Sequence, residues 1–348
     1  MKIGLLYDSA SLATGIRATS RVVQRAFAAS GIAHRVIDPM NPASDDLAML
    51  VIGGGTLLRA PDDPVYRAFR VRGRHVLHSI SVGDAQDTEY LDDYACVAVR
   101  ARADRSRLGR GSVCAPLSLL YGDYLPDGTS VAGVPDGAIG IHVTPAMRDH
   151  ALGFVHVLST LNIGPVVWLP TADLRSVDLL EALRSSLPGS VVLPGGDPDA
   201  LWNIVGRLRA LVTPTLHAAG FAYAQGTPFL TYGYASELGD FLRDRDLTDR
   251  QLSIATDLEH VLPNLLQRDD AAPDPIADLD ECRDLLGEIV QAAREALLAP
   301  PPENFIEAID QAAYDVQRDL ARVDGAGALE AEAQRLRAQG LDILIGVA

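Results

Sequence analysis

Short uninterrupted apolar runs alternate with polar or helix-period stretches along most of this chain. KIGLLY (2–7), AHRVID (33–38), LAMLVIGGG (47–55), HVLHSI (75–80) and YACVAV (94–99) read as strands, and ATSRVVQRAFAAS (18–30) as a helix that stops at Gly31. Strands separated by helical or loop segments predict a parallel, doubly wound sheet with functional groups at the strands' carboxyl ends. A turn-rich passage from Pro126 to Ala138 breaks the pattern, which then restarts. GAIGIHV (137–143), GPVVWLP (164–170), SVVLPG (190–195), ALVTP (210–214) and PFLTYG (228–233) are the next strands. VDLLEALRSSLP (177–188) and DALWNIVGRLR (199–209) are amphipathic helices between them. The expected organisation is α/β: Rossmann-like domains over residues 1–130 and 131–273, facing each other across a cleft, then a helical extension over 274–348. The Ala/Leu/Glu/Arg-rich extension reads as a solvated appendage or a dimerisation element, which leaves a homo-oligomer open.

Composition narrows the chemistry. At 348 residues and 48% apolar, the chain can fill two cores of common size. A formal charge of −16 argues against a nucleic-acid or anionic-membrane surface, because phosphate tracking needs a basic stripe. Lys2 is the only lysine, so an anionic ligand has to be held by arginine or by backbone N–H groups. Cys96, Cys114 and Cys282 have no metal spacing and fit reduced thiols. No apolar run approaches the roughly 20 residues of a membrane span, and the amino terminus lacks a signal-peptide pattern. A cytoplasmic protein without an integral membrane segment is expected. The eight histidines show no HxH or HxxxH pairing, and His75 and His78 have no acidic or Cys neighbour to complete a ligand set, so no metal is expected. GGGTLL lacks the lysine of a P-loop. No cofactor is called for.

VTPTLHAAGFAYAQGTPFLTYGYASELGDFL, beginning at Val212, carries the densest signal. Val212 ends a strand, Thr213 can cap a helix, Pro214 suits its first position, and Gly226 with Pro228 makes a stop. His217 then lies in a first helical turn, where the dipole disfavours imidazolium, as an acid/base or hydrogen-bonding group. Packing beside the strand tip is the alternative.

Four stretches resemble the polysaccharide pyruvyl transferases, whose relatives have two Rossmann-like domains in a GT-B-like arrangement. LLYDSASLATGIRATS keeps the family glycine as Gly15, with Ile16 in place of the acidic residue. LAMLVIGGGTLLR is similar to a strand followed by Gly53, Gly54, Gly55 and Thr56 and a helix start, with Arg59 beyond. YACVAVRARADRSRLG offers Arg100 or Arg102 for the family arginine, with Ala101 in place of its aspartate. In the fourth stretch His217, Gly226, Pro228, Tyr234 and Phe241 hold their places, but the family arginine is Thr215 and the family lysine is Glu237.

The resemblance implies a ketal pyruvyl transfer from phosphoenolpyruvate to a saccharide acceptor, lipid- or nucleotide-linked, as in exopolysaccharide biosynthesis. His217 would be catalytic. Gly53, Gly54, Gly55, Thr56, Arg59, Arg100, Arg102, Thr215, Tyr234 and Glu237 would hold donor and substrate. Such a donor carries carboxylate and phosphate together and calls for arginine forks or lysine. With Thr215 and Glu237 in the basic places, Arg59, Arg100, Arg102 or Arg148 would have to substitute. Two alternatives stay open: a GT-B-like transferase for another donor such as a nucleotide sugar, with Glu237 on its hydroxyls, and a non-catalytic saccharide-binding relative.

Overall fold

The computed structural model describes residues 1–298 except 8–12, 38–46, 56–74, 83–87, 89–90, 93, 127, 129–130, 132, 173, 175–176, 234–235, 254–256 and 269–271. The chain divides into two compact units, one of residues 1–11, 23–113 and from 285 onward, the other of 12–22 and 114–284. Each is built on a six-stranded sheet, and every strand pair is parallel.

In the first unit the order is β2-β1-β3-β4-β5-β6. The strands are β1 (Lys2–Leu6), β2 (His34–Ile37), β3 (Leu47–Gly53), β4 (Val76–Ile80), β5 (Cys96–Val99) and the two-residue edge β6 (Ser112–Val113). All of β3 is buried, as its unbroken apolar run demands. One core cluster gathers Leu6, Ile37, Leu50, Ile52, Leu77, Ile80, Val99 and Leu108.

The second unit has the order β12-β11-β10-β7-β8-β9. Its strands are β7 (Ile139–Val143), β8 (Val166–Pro170), β9 (Val191–Val192), β10 (Ala210–Thr213), β11 (Phe229–Tyr232) and β12 (Gln251–Leu252). The chain runs outward from β7 to β9, then returns to β10 on the other side, so direction reverses between β7 and β10. Ile139, Ile141, Val143, Ala210 and Val212 join Phe154, Trp168, Leu230 and Leu262 in one core. By the two-residue period of a strand, His142 and Thr213 take the opposite face.

Nine α-helices are described: α1 (Thr14–Ala29), α2 (Arg102–Leu108), α3 (Ala151–Leu161), α4 (Val177–Ser186), α5 (Pro198–Val205), α6 (Leu216–Ala224), α7 (Ser236–Arg243), α8 (Leu258–Gln267) and α9 (Ile276–Leu298). Helix α6 begins two residues later than Thr213 as its cap would put it. Thr213 is the last residue of β10, Pro214 lies outside the helix, and Thr215 is the N-cap. At the far end Gly226 takes a left-handed φ of 66° and closes the helix as expected. Helix α9 buries Cys282, Leu285, Leu286, Ile289, Ala293 and Ala296. Its Cys282 Sγ lies 3.7 Å from Cys114 Sγ. Among the described residues no helix is long and apolar enough to cross a membrane.

Candidate functional site

The carboxyl ends of β7 and β10 flank the point where strand order reverses, the usual address of a ligand in a doubly wound sheet. Register pairs Ile141 with Val212, which sets His142 beside Thr213 on the face away from the core. His142 Nδ1 lies 3.1 Å from Thr213 Oγ1 and 2.9 Å from Thr215 Oγ1. The two hydroxyl oxygens are themselves 3.1 Å apart, and Thr215 N–H donates to Thr213 Oγ1 at 3.1 Å. Tyr232 Oη donates to the His142 carbonyl at 2.9 Å, pinning the strand tip.

This ring of bonds changes the head of α6. An N-cap threonine normally turns its hydroxyl onto the first-turn N–H groups, but the Thr215 hydroxyl makes no capping bond. The first turn carries no acidic side chain. His217, its second residue, meets His142 edge-to-face with ring centres 5.6 Å apart. Burial first, and the neighbouring His217 second, hold His142 well below the ordinary histidine range, so it is neutral.

The first half of α1 packs here too. A Cβ on Gly15 would lie 2.9 Å from His217 Cβ, so only glycine allows this approach. Thr14 Oγ1 and Arg17 donate to the Gly196 carbonyl just before α5, at 3.1 and 3.2 Å. Arg21 pairs with Asp197 at 3.0 Å and Asp199 at 2.8 Å, and donates to Tyr121 Oη at 3.1 Å. Burial alone would raise the Asp197 carboxyl, but bonds from Arg21 and from the Ala200 and Asp199 N–H groups outweigh it and hold it low. Tyr121, whose hydroxyl donates to Asp199 at 2.6 Å, is pushed up to about 12, chiefly by burial.

Of the sequence-derived candidates, Thr215 and His217 come together around His142. Glu237 is half-buried in the first turn of α7, at the carboxyl end of β11 beside β10. In the other unit, Gly53 ends β3 and packs on a buried pair in which Tyr7 Oη and His78 Nε2 are 2.7 Å apart; a Cβ there would clash with that nitrogen. Gly54 and Gly55 have φ of 77° and 74°. The Gly55 carbonyl accepts from Ser81 N at 3.0 Å and from Arg100 at 3.4 Å, and Arg100 also donates to Ser81 Oγ. Arg102 opens α2 and with Arg105, Ser106, Gly109 and Val113 lines a cavity of about 480 Å³. His78 and His75 serve the interior: His75 Nδ1 accepts from Leu50 N–H at 3.1 Å, and burial pushes His78 down to about 3. Thr56, Arg59 and Tyr234, and the Arg148 side chain, lie outside the described residues. Among the described residues no three His, Cys, Asp or Glu side chains are grouped to hold a metal.

Sequence reasoning missed His142. Its one signal was a polar residue one place before the end of the apolar GAIGIHV strand. It also missed the α1 arginines, whose four-residue spacing puts Arg17 and Arg21 on one helix face.

Comparison with solved structures bears on the fold. The UDP-GlcNAc 2-epimerase of Methanocaldococcus jannaschii, in complex with UDP-GlcNAc and UDP, superposes with a TM-score of 0.57 over 84% of this chain and 100% of its own, at 8% identity. The S. aureus MnaA–UDP co-structure gives 0.60 over 86% and 99%, at 9% identity. This chain has a GT-B-like fold. The UDP-N-acetylglucosamine 2-epimerase of Rickettsia bellii shares the GT-B-like fold with a TM-score of 0.55 over 89% and 97%, at 11% identity. No family model and no curated protein sequence matches the chain, so the pyruvyl transferase resemblance receives no support there.

Proposed function

We propose that this chain is an enzyme acting on a nucleotide-diphosphate sugar, with the diphosphate seated at the head of α6 and a saccharide as acceptor or product. One observation carries the reading: the head of α6, whose N-cap Thr215 turns its hydroxyl to His142, stands at the sheet's reversal point beside a neutral imidazole and has no charged side chain of its own. Backbone N–H groups and a helix dipole suit a diphosphate diester, whose charge is spread and whose ends are covered. The same donors would stabilise the charge that grows on a diphosphate leaving a glycosyl C1–O bond. His217, in that turn, would bond a phosphate oxygen or move a proton. Glu237, one strand over, would accept from ribose hydroxyls, as only an acceptor can. The solved structures of this fold with UDP or UDP-GlcNAc bound support the choice of ligand class.

Pyruvyl transfer from phosphoenolpyruvate, which the sequence resemblance implies, is the weaker reading. A compact trianion needs cations, yet Thr215 and Glu237 stand where the family has them, and Arg17 and Arg21 are bound to Asp197 and Asp199. Isothermal titration of UDP, UDP-GlcNAc and phosphoenolpyruvate into the protein separates the two. UDP should bind, and UDP at a hundred times its dissociation constant should stabilise the fold by about 2.7 kcal/mol. His217→Ala should abolish turnover of the nucleotide sugar and keep stability within about 1 kcal/mol. Binding of phosphoenolpyruvate with none of UDP would overturn the proposal.

A further inference from the structure

We propose that Cys114 and Cys282 form a modification site, which hydrogen peroxide oxidises to a disulfide that staples the start of α9 to the segment after β6. The inference stands apart from the nucleotide-sugar reading and uses none of its residues.

The two sulfurs are 3.7 Å apart, although 168 residues separate them in the chain. Cys114 directly follows the edge strand β6, and Cys282 lies in the second turn of α9. Both belong to the unit of residues 12–22 and 114–284, whereas Cys96 sits on β5 of the other. Bonds on either side of Cys282 impose the contact. Four residues before it, on the same helix face, the Asp278 carboxylate accepts from Arg245 at 2.7 and 3.2 Å. Directly after it, Arg283 donates at 3.1 Å to Asp123, which lies in the 3-10 turn Leu117–Tyr124 that continues from Cys114. Helix and segment are therefore held together before any S–S bond exists. Buried cysteines often serve as small apolar side chains, but that use does not need sulfur on sulfur. Closing from 3.7 Å to a bond of about 2.05 Å asks each Sγ to swing by less than about 1 Å about its own Cβ, a rotamer adjustment and not a backbone shift.

Exposure assigns the roles. Cys282 is 0% exposed, and its S–H donates to the Ala115 carbonyl at 3.4 Å. The bond from Cys114, and then burial, push its thiol up and keep it protonated. Cys114 is 5% exposed and is the sulfur that a small peroxide meets first. As thiolate it attacks one peroxide oxygen, the O–O bond breaks, and the departing hydroxide takes up the thiol's proton as water. Cys282 Sγ then displaces the hydroxyl of the Cys114 sulfenic acid, and its own proton leaves with that hydroxyl as a second water. Two thiols and one hydrogen peroxide give one disulfide and two waters, with two electrons passing from sulfur to oxygen. A bond closing so long a span of chain takes freedom mainly from the unfolded state.

The test treats the full chain with hydrogen peroxide in steps, alkylates the remaining thiols in denaturant, and reads intact mass, non-reducing peptide maps and melting temperature. The expected product has lost two hydrogens and two alkylatable thiols, and its map contains one linked peptide joining Cys114 to Cys282. It should melt higher by about 5 °C or more and return to the starting state with dithiothreitol. In Cys282→Ala the resolving sulfur is gone, so Cys114 should stop at sulfenic acid and be captured by dimedone. Should that variant fail to fold, the wild-type maps decide alone. Three results would each overturn the inference: Cys114 and Cys282 both still alkylated at peroxide levels that oxidise the half-exposed Cys96, a link made through Cys96, or a Cys114 to Cys282 link that leaves the melting temperature unchanged.

Discussion

Replacing Gly15 by alanine sets two effects of known size against each other. In a helix alanine is favoured over glycine by about 1 kcal/mol, because glycine has more backbone freedom to lose. At Gly15 the added methyl would stand 2.9 Å from His217 Cβ and 3.2 Å from its Cγ and Nδ1. Carbon atoms rest at about 3.5–4.0 Å, so one helix head must retreat by roughly 0.6 Å or more. Cβ is fixed to the backbone of α6 and cannot swing aside, and overpacking of this kind costs about 1–3 kcal/mol. The clash should win, leaving Gly15→Ala less stable by about 1 kcal/mol, or about 2–4 °C for a domain of this size.

Gly239 is the control. It lies inside α7 with nothing within 4 Å of an added Cβ, so Gly239→Ala should gain up to about 1 kcal/mol. Thermal unfolding of both variants, with UDP titrations alongside, compares one substitution at two sites. Opposite signs are expected, with weakened UDP binding only for Gly15→Ala. If both variants gain stability, α1 does not rest on His217 in solution, and the close packing around the site is refuted.

Two further outcomes concern pH. His78, pushed down to about 3 by burial against an unfolded value near 6.5, contributes stability that is complete above pH 6.5 and is lost as pH falls toward 3, about 5 kcal/mol over the window. His78→Gln, which keeps an acceptor for Tyr7, should flatten that limb in urea unfolding measured at stepped pH; an unchanged slope would mean His78 is not buried neutral. Arg21→Met should cost about 1–2 kcal/mol at pH 7, since Arg21 binds three partners but is part-exposed. Because Arg21 holds the Asp197 carboxyl low, the contribution is present above about pH 4 and fades below it. Wild type and variant should therefore converge in acid, and a gap that stays constant down to pH 3 would contradict the pairing.

The sheets were legible because a strand buried on both faces, such as Leu47–Gly53, must be an unbroken apolar run. The edge strands Ser112–Val113 and Gln251–Leu252 were not, since two residues carry no period. The start of α6 was misplaced for a physical reason. Thr213 does use its hydroxyl on a backbone N–H two residues on, as a cap might, but that bond closes a turn before the helix instead of opening it. The place of His217 in the first turn of a helix was legible because the Thr-Pro start and the Gly-x-Pro stop around it are local in sequence. The pairing of His142 with Thr213 and Thr215 was not legible, because nothing near it in the chain marks this strand-end histidine as their neighbour. Only the pairing of β7 with β10 brings its threonines to it.

That pairing has a kinetic consequence. His142 and Thr215 are 73 residues apart in the chain, and β8 and β9 are made between them. A parallel neighbour cannot be reached by a tight turn, so the loop entropy of the whole crossover must be met before the first β7–β10 bond forms. Contacts of such sequence separation are slow to form, and a chain emerging from the ribosome would carry β7 with its central edge bare until β10 arrives. The triangle of His142, Thr213 and Thr215 thus closes only in the finished sheet. A ligand held there would bind no folding intermediate that lacks β10, so it would slow unfolding while leaving the rate of folding unchanged.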